Sequence, residues 1–259
     1  MAESFGHVLV TAEDGVAILT LNQPEILNAV SAAMMRGVLA ALDFIESEPK
    51  FRALVFTGAG KGFCAGANLG AVETAGPIDA GAMLDRVFHP FLRRLRDFPM
   101  PVVMAVNGPA VGIGMSFALS GDLTLAARSA FFQQRFSKIG LVTHGGSTWL
   151  LPRLIGLARA RELALLAEKL PAERALEWGL INGVADDDKL MPEALALAQR
   201  LAQGPASLAL TRKLFWDHDS YEQQLAREQA AQSRASQSED FREGLQAFHE
   251  KRPPRFTGK

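Results

Sequence analysis

The sequence predicts an α/β fold with a largely parallel sheet, because short apolar runs alternate with segments of helical periodicity. Three apolar runs are interpreted as buried strands: "VAILTLN" (16–22), "RALVFTGAG" (52–60) and "PVVMAVNG" (101–108). The second and third of these run directly into glycine turns, and a shorter apolar run, "LTLAA", follows at 123–127. No sequence repeat of fixed period is present, only this recurring unit of strand, glycine turn and helix.

The first helix is predicted at 31–47, where Ser31 is a good N-cap and apolar residues recur at helical spacing. From about residue 158 onward, amphipathic helical segments replace the strands, among them "ARARELALLAEKL", "PAERALEWG", "PEALALAQRLAQG", "SLALTRKLFWDH" and the stretch 220–249. The tail "KRPPRFTGK" contains prolines that a helix does not tolerate, so it must dock or hang free. The chain is therefore predicted to be an α/β core of about 190 residues followed by a helical C-terminal part.

Composition narrows the class of protein. Of 259 residues, 48% are apolar and 21% are charged, which is typical of a soluble globular protein. The formal net charge of −1 does not favour a nucleic-acid partner, and no apolar run approaches the ~18 residues of a membrane span. The single cysteine, Cys64, excludes an intramolecular disulfide and a multi-cysteine metal site. We expect a cytoplasmic protein without a bound metal or a membrane partner, and with no secretory signal in its N-terminal residues.

Two glycine turns are candidate binding elements, "GKGFCAGANL" (60–69) and "NGPAVGIGMSFALSGD" (107–122). Glycine lets a backbone approach a ligand closely, and the N–H groups of the helix predicted to start near Ile113 would favour an anion. Two such turns facing each other would supply two N–H donors to a developing oxyanion. The alternative, which the residues alone leave open, is that both are ordinary connections between a strand and a helix.

Two other motifs are incomplete. "GIGMSF" has Phe117 where a dinucleotide-binding fingerprint needs its third glycine. "GMSFA" around Ser116 and the later "HGG" occur in the wrong order for a lipase-like oxyanion loop and nucleophile, and no Ser–Asp–His order is present.

Several spaced motifs together resemble the crotonase superfamily, the enoyl-CoA hydratases and isomerases. They are "FCAGANL", "NGPAVGIGMSFALSGDLTLAARSAFF", "FSKIGLV", "LLPRLIGLARARELALL", "EWGLINGVADDDKL" and the ending "FREGLQAFHEKRPPRFTGK". The resemblance runs in order from about residue 8 to the C-terminus. Within the family, "FSKIGL", "TWLLPR", "EWG" and the final "FTGK" are most similar to the ring-type enoyl-CoA isomerases of phenylacetate catabolism.

The resemblance implies a crotonase-like spiral of ββα units over residues 1–195 and a helical region over 196–259 that builds homotrimers, often paired into hexamers. It also implies an acyl-CoA substrate, with coenzyme A as part of the substrate and no permanently bound cofactor. The thioester carbonyl of such a substrate lies between two backbone N–H groups, which map onto Ala67 and Ile113. Four neighbouring residues are then expected to contact the substrate: Gly66, Asn68, Gly112 and Gly114.

The acid/base residues of the family map onto three positions. The two glutamates of the hydratases correspond to Ser116 and Phe136, neither of which can act as a carboxylate base. The single carboxylate of the isomerases maps onto His144, in "GLVTHGG". A neutral imidazole with an ordinary pKa near 6.5 can take and return a proton. His144 is therefore the candidate base, and the alternative is a loop histidine in a chain that has lost or moved its base.

Coenzyme A is contacted in this family by the turn after the first strand and often by the C-terminus. Here "NQPEILNA" (22–29) has Ile26 and Leu27 where a basic residue is frequent. The ending that carries Phe256 and Lys259 packs near the coenzyme A in relatives, and the alternative is a tail docked for stability alone. Further polar residues have no assigned reaction step, and for the first two a structural role is expected: Asp122, His89, Glu73 and Asp79.

The sequence thus predicts an enoyl-CoA isomerase with a backbone oxyanion hole and a single-base proton shuttle. Two alternatives remain open. One is an enoyl-CoA hydratase without the usual glutamate pair, and the other is a protein that binds acyl-CoA without catalysis.

Overall fold

The structure is a computed structural model that describes residues 2–68, 80–216 and 236–259. In chain order, the strands of the described residues are β1 (Glu3–Ser4), β2 (Val8–Glu13), β3 (Val16–Leu21), β4 (Ala53–Gly58), β5 (Val102–Val106), β6 (Ala110–Val111), β7 (Leu123–Ala127), β8 (Phe131–Gln133), β9 (Leu170–Pro171) and β10 (Gly183–Ala185). The main sheet has the order β1-β2-β3-β4-β5-β7-β10. Its first three strands are antiparallel, and every pair from β3 to β10 is parallel. The predicted largely parallel sheet is confirmed.

A second, three-stranded sheet has the order β6-β8-β9. β6 is parallel to β8, and β8 is antiparallel to β9. Since β6 directly follows the turn after β5, the chain passes from the main sheet to the small sheet at that turn. The candidate oxyanion donors lie at this junction.

The helices of the described residues are α1 (Ala32–Ser47), α2 (Ala80–Met83), α3 (His89–Arg96), α4 (Ile113–Ala118), α5 (Ser147–Leu166), α6 (Ala172–Glu177), α7 (Leu190–Ala202), α8 (Ser207–Trp216) and α9 (Glu239–Glu250). A π-helical turn, Leu84–Phe88, joins α2 to α3. Short 3-10 helices cover Pro24–Ile26 and Arg135–Ile139. No helix of these segments is long and apolar enough to cross a membrane.

α1 forms as its sequence predicts. The Ser31 hydroxyl accepts the N–H of Met34 at 3.2 Å, which satisfies one of the free donors of the first turn. Six apolar residues on one face of the helix are buried, and this face packs on β2 and β3. α1 thereby covers one part of the main sheet.

The centre of the core lies around β4 and β5, which are buried along their whole length. α7 packs against both strands. A chain of aromatic rings connects β4 to the candidate site, with centroid distances of 5.8 Å from Phe56 to Phe63, 5.8 Å from Phe56 to Phe91 and 4.7 Å from Phe91 to Phe117. Through these ring contacts, the first glycine turn, α3 and α4 pack together against β4.

α5 begins earlier than the sequence pattern indicates, at Ser147 instead of about residue 158. Its first half contains Pro152, and Gly156 has the non-helical dihedrals φ 76° and ψ 161°. The helix is therefore kinked at Gly156, and the first half does not carry a regular helical pattern.

The C-terminal part packs back on the same chain. Asp122, at the start of β7, receives the Nε–H of Arg212 in α8 at 2.8 Å, and both partners are largely buried. The predicted boundary between residues 195 and 196 lies inside α7. The division into a core and an oligomerisation region stays a prediction.

Candidate active site

The two glycine turns pack directly against each other. Cys64 pairs with Ala110 in a parallel bridge. The N–H of Cys64 donates to Pro109 O at 3.0 Å, and the N–H of Val111 donates to Cys64 O at 2.9 Å. In this register Ala67 lies three residues after Cys64, and Ile113 lies three residues after Ala110. The two predicted donors thus occupy equivalent positions on neighbouring segments.

Glycine is required where these segments approach each other. A Cβ on Gly114 would lie 2.2 Å from the carbonyl oxygen of Cys64 and 2.8 Å from its sulfur. Gly66 has φ +104°, and a Cβ there would lie 3.0 Å from the carbonyl oxygen of Val111. A larger residue at either position would push the two turns apart.

The N–H groups of Ala67 and Ile113 donate to no acceptor among the described residues. Ile113 is the first residue of α4, where N–H groups lack partners within the helix. The neighbouring N–H groups are used differently, since Asn68 donates to Val30 O at 2.9 Å and Gly112 donates to Gln133 O at 2.8 Å. Two free donors on adjacent segments could bind an oxyanion.

His144 lies in the loop between the 3-10 helix Arg135–Ile139 and α5. Its ring centroid is 4.1 Å from that of Phe136 and 6.4 Å from that of Phe88, with the Phe88 ring nearly parallel. The imidazole is half-buried, and its Nδ1 atom is buried without a hydrogen-bond partner among the described residues. This nitrogen is closed off from solvent, so a ligand would reach it only after a neighbouring group moved.

Burial, with a smaller electrostatic contribution from His89, lowers the pKa of His144 from 6.5 to about 4. The lowered pKa differs from the ordinary value near 6.5 that the sequence predicts for His144. The cause is that the aromatic rings remove water that would solvate the imidazolium. The side chain is consequently neutral at pH 7. A neutral imidazole can accept a proton but holds it weakly.

The loop of His144 lies against the start of α4. Gly145 has φ +71°, and a Cβ there would lie 2.4 Å from Cδ1 of Ile113 and 2.9 Å from Oγ of Ser116. The Ser116 hydroxyl donates to the carbonyl oxygen of His144 at 3.0 Å. The loop that carries the candidate base is therefore packed against the first turn of α4, where Ile113 lies.

Neither Ser116 nor Phe136, which the family resemblance aligns with the hydratase glutamates, carries a carboxylate. Ser116 is fully buried, and its hydroxyl bonds within the protein. Phe136 is 5% exposed and lies on the imidazole of His144. A pocket of about 320 Å³ begins beside this loop at Gly145 and Gly146, and other parts of its wall are Leu92, Ser120, Trp149 and Trp216.

Other residues singled out in the sequence have contacts that are not part of this centre, or lie outside the described residues. Asp122 accepts the N–H of Val102 at 2.7 Å and binds Arg212, which confirms its structural role. His89 begins α3, and its Nδ1 is 3.7 Å from the carboxylate of Asp85. Glu73 and Asp79 lie outside the described residues.

The C-terminal tail docks on its own chain. The N–H of Asp240 donates to the carbonyl oxygen of Lys259 at 3.0 Å, and the N–H of Thr257 donates to the Asp240 carboxylate at 2.7 Å. The carbonyl oxygen of Phe256 accepts from Arg52 at 3.3 Å. These contacts account for the ordered tail, and a role of Phe256 and Lys259 near coenzyme A stays a prediction.

Sequence reasoning missed four residues that shape the site: Phe88, Gln134, Gly145 and Ser147. Phe88 stacks on His144, and Gln134 and Ser147 bond to each other in the interior. Of these four residues, only Gly145 and Ser147 lie in a recognisable sequence pattern, the adjacent glycines of "HGGS". Among the described residues, no group of three or more His, Cys, Asp or Glu side chains could hold a metal ion.

Comparison with known proteins places this geometry in a family. The enoyl-CoA hydratase/isomerase family profile matches residues 11–259. The chain is 45% identical to the 1,2-epoxyphenylacetyl-CoA isomerase of Escherichia coli (strain K12), over 97% of this chain and 98% of that protein. It is 31% identical to the trans-2-decenoyl-[acyl-carrier-protein] isomerase of Streptococcus mutans, over 98% of this chain and 99% of that protein. The crystal structure of the enoyl-CoA hydratase from Bacillus anthracis superimposes with a TM-score of 0.90 at 30% identity, covering 98% of this chain and all of that one.

The fold is thus the crotonase fold, and its site belongs to enzymes that act on CoA thioesters. The chain is a member of the enoyl-CoA hydratase/isomerase family. Its relatives carry both isomerase and hydratase names.

Proposed function

We propose that this protein is an enoyl-CoA isomerase in which His144 moves the proton. One observation carries the proposal: a neutral imidazole contacts Phe136 and faces Phe88, and the next residue, Gly145, lies against the side chain of Ile113. No carboxylate occupies position 116 or 136, so the chain lacks the two-glutamate arrangement that would activate water.

The reaction follows from these groups. The thioester carbonyl accepts the N–H groups of Ala67 and Ile113, which stabilise negative charge on its oxygen. His144 takes a proton from the α carbon of a 3-enoyl thioester, or in the reverse direction from the γ carbon of a 2-enoyl thioester, and the C–H electron pair is delocalised onto the thioester oxygen as a dienolate. The imidazolium then returns the proton to the other carbon of the allylic system, and the double bond shifts by one position. No atom is gained or lost.

The low pKa of His144 suits the second half of this shuttle. An imidazolium that forms between aromatic rings is a strong acid, so it returns its proton readily. The nearby dienolate favours the charged imidazolium while it exists, since opposite charges stabilise each other. Removal of the proton is the harder step, and the two N–H donors lower its barrier.

The acyl group is proposed to carry a ring. The name of the Escherichia coli relative, 1,2-epoxyphenylacetyl-CoA isomerase, supports a ring-bearing thioester. The pocket of about 320 Å³ next to Gly145 and Gly146 includes Trp149 and Trp216, whose indoles stack with 5.9 Å between centroids. Flat aromatic walls of this kind favour a flat ligand.

Deuterium incorporation tests the proposal. The protein is incubated in heavy water with acyl-CoA and 3-enoyl-CoA thioesters that have straight-chain or ring-bearing acyl groups, and mass spectrometry measures exchange at the α and γ carbons. We expect exchange with the wild type, its loss with His144→Ala and no change with His7→Ala, which alters an exposed histidine.

Three other results would contradict the proposal. Unchanged exchange in His144→Ala would exclude His144 as the base. Formation of a 3-hydroxyacyl thioester from a 2-enoyl thioester would favour hydration. Binding of thioesters without any exchange in the wild type would favour a non-catalytic acyl-CoA-binding protein.

A homotrimeric or hexameric assembly is also proposed, on the family resemblance. Large apolar side chains on the surface of the single chain are consistent with it, including Val142 at 80%, Phe215 at 78% and Leu165 at 73% exposure. Sedimentation velocity would detect the assembly, and a single 28.0 kDa species would contradict it.

A further inference from the structure

We propose that Ser116 is a positioning residue for His144, and that its hydroxyl holds the His144 backbone so that the imidazole stays between Phe136 and Phe88. The significance of this role for catalysis rests on the proposed function. The position that carries a glutamate in the hydratases would then serve the isomerase in a different way, by fixing the loop that bears the base.

A buried chain of hydrogen bonds leads to the His144 carbonyl. Nε2 of Gln134 is 2.9 Å from Oγ of Ser147, which is 2.7 Å from Oγ of Ser116, and that atom is 3.0 Å from the carbonyl oxygen of His144. All three side chains, Gln134, Ser147 and Ser116, are fully buried. They connect the segment after β8, the start of α5, the middle of α4 and the loop of His144.

The direction of donation in this chain follows from the groups present. A carbonyl oxygen can only accept, so the Ser116 hydroxyl donates its single proton to His144 O. Ser147 must then donate to Ser116, and Ser147 accepts from the amide N–H of Gln134. The Ser116 proton is therefore bound to the loop backbone and is not available to a substrate or to a water molecule.

Without Ser116 the loop would lose its main anchor. The only other bond that the structure gives to the His144 carbonyl among the described residues is from the N–H of Ser147, and it is long, at 3.4 Å. Gly145, the next residue, lies against the side chains of Ile113 and Ser116, so this part of the loop packs on the same face of α4. Loosening the loop would let the imidazole leave its aromatic surroundings and meet water.

The electrostatic surroundings of His144 make such a movement measurable. The rings on either side, Phe136 and Phe88, carry no charge. His89, at the start of α3, is the titratable group that contributes to the lowered pKa of His144, and the carboxylate of Asp85 lies 3.7 Å from His89. A more hydrated imidazole would have a pKa closer to the ordinary value of 6.5.

The test is a pH titration of the histidine Cε1 signals by NMR, with the full chain labelled at histidine. The chain has five histidines, and the His144 signal is assigned by its loss in His144→Gln. Ser116→Ala removes the donor. Thr57→Val is the matched control, because Thr57 is also buried and its hydroxyl donates to a backbone carbonyl, Ala105 O at 2.8 Å, within the main sheet.

We expect His144 to titrate near pH 4 in the wild type and in Thr57→Val, and at a clearly higher pH in Ser116→Ala. A merely structural role of Ser116 would lower the melting temperature without moving this titration. If His144 titrates alike in Ser116→Ala and the wild type, the positioning role is wrong. Should Ser116→Ala fail to fold, Ser116→Cys provides the same comparison, since it keeps a side chain of similar size with a much weaker donor.

This measurement needs no turnover. The inference would fail through an unmoved titration, whereas the proposed function would fail through the deuterium experiment. If the inference and the proposed function are both correct, Ser116→Ala should lower the kcat of deuterium exchange and leave KM nearly unchanged. The reason is that the thioester binds to Ala67 and Ile113 and not to Ser116.

Discussion

The imidazole of His144 lies on the ring of Phe136, with 4.1 Å between the ring centroids and 49° between the planes. A residue of the loop before α5 thereby contacts a residue of the 3-10 helix that follows β8. The contact excludes water from one face of the imidazole and favours its neutral form. Phe136 is also the residue that the family resemblance aligns with one of the hydratase glutamates.

The close approach of the two glycine turns should depend on Gly114. In Gly114→Ala the new Cβ would lie 2.2 Å from the backbone oxygen of Cys64, so the turns must separate and the Ala67 and Ile113 donors must move apart. Loss of an oxyanion donor typically costs about 100-fold or more in rate, and we expect deuterium exchange to fall by about that factor. Gly140→Ala is the control: its φ of +71° makes an alanine strain the backbone more there than at Gly114, but the added Cβ would meet nothing within 4 Å. Equal exchange in both variants would refute this account of the turns.

His144 should make the folded state sensitive to acid. Its folded pKa of about 4 lies below the unfolded value of 6.5, so between these values the unfolded chain binds a proton that the folded chain does not. Stability contributed by the neutral form is complete above pH 6.5 and is lost as the pH falls toward 4. After allowance for partial exposure, the loss from pH 7 to pH 5 is about 1–2 kcal/mol.

Chemical denaturation of the wild type and His144→Gln at pH 7 and pH 5 measures this effect. The free energy of unfolding should fall by about 1–2 kcal/mol more in the wild type than in the variant. Because the other titrating groups are common to both proteins, the difference isolates His144. An equal fall in both proteins would show that His144 is hydrated in the folded state.

Cys64 should be unreactive in the native protein. Burial raises the pKa of its thiol to about 12, so the reactive thiolate is scarce at neutral pH. A disulfide reagent should label no thiol in the folded wild type and one per chain in denaturant. The variant Ser4→Cys, which adds a thiol at an exposed position, should react at once under native conditions. Rapid native labelling of the wild type would contradict the packing around the first turn.

The ion pair of Asp122 with Arg212 should stabilise the attachment of α8. Arg212 is 5% exposed and also donates to the carbonyl oxygens of Leu95 and Arg96 at 2.9 Å each. Asp122→Asn would leave a buried guanidinium without its counter-charge, and we expect a loss of about 3 kcal/mol of unfolding free energy.

Asp97→Asn is the matched control for that substitution. Asp97 pairs with Arg96 at 2.7 Å, but both side chains are about half exposed, so its loss should cost less than about 1 kcal/mol. Thermal or chemical unfolding measures both variants. Similar losses in the two would mean that burial does not strengthen the Asp122 pair.

The sequence predicted the long elements and the glycine turns well. β4, β5, β7 and α1 lie within the predicted segments, and α4 begins at Ile113 as expected. The short strands were not predicted from the sequence. β6 and β9 have two residues each, and β8 and β10 have three, which is too few for an alternating pattern to be recognised. β2 was not identified either, although it pairs along its whole length with β3.

By itself, the sequence determined the fold class, the family resemblance, the absence of carboxylates at positions 116 and 136, and a histidine at position 144. These are properties of residue type and local order, which a chain displays without being folded. Only the tertiary structure decided that Phe136 and Phe88 enclose His144, that the pKa of this residue is lowered, and that Ser116, Ser147 and Gln134 hold its loop. These residues are separated by up to 59 positions in sequence, from Phe88 to Ser147. Their contacts arise from packing in three dimensions, and no local pattern encodes them.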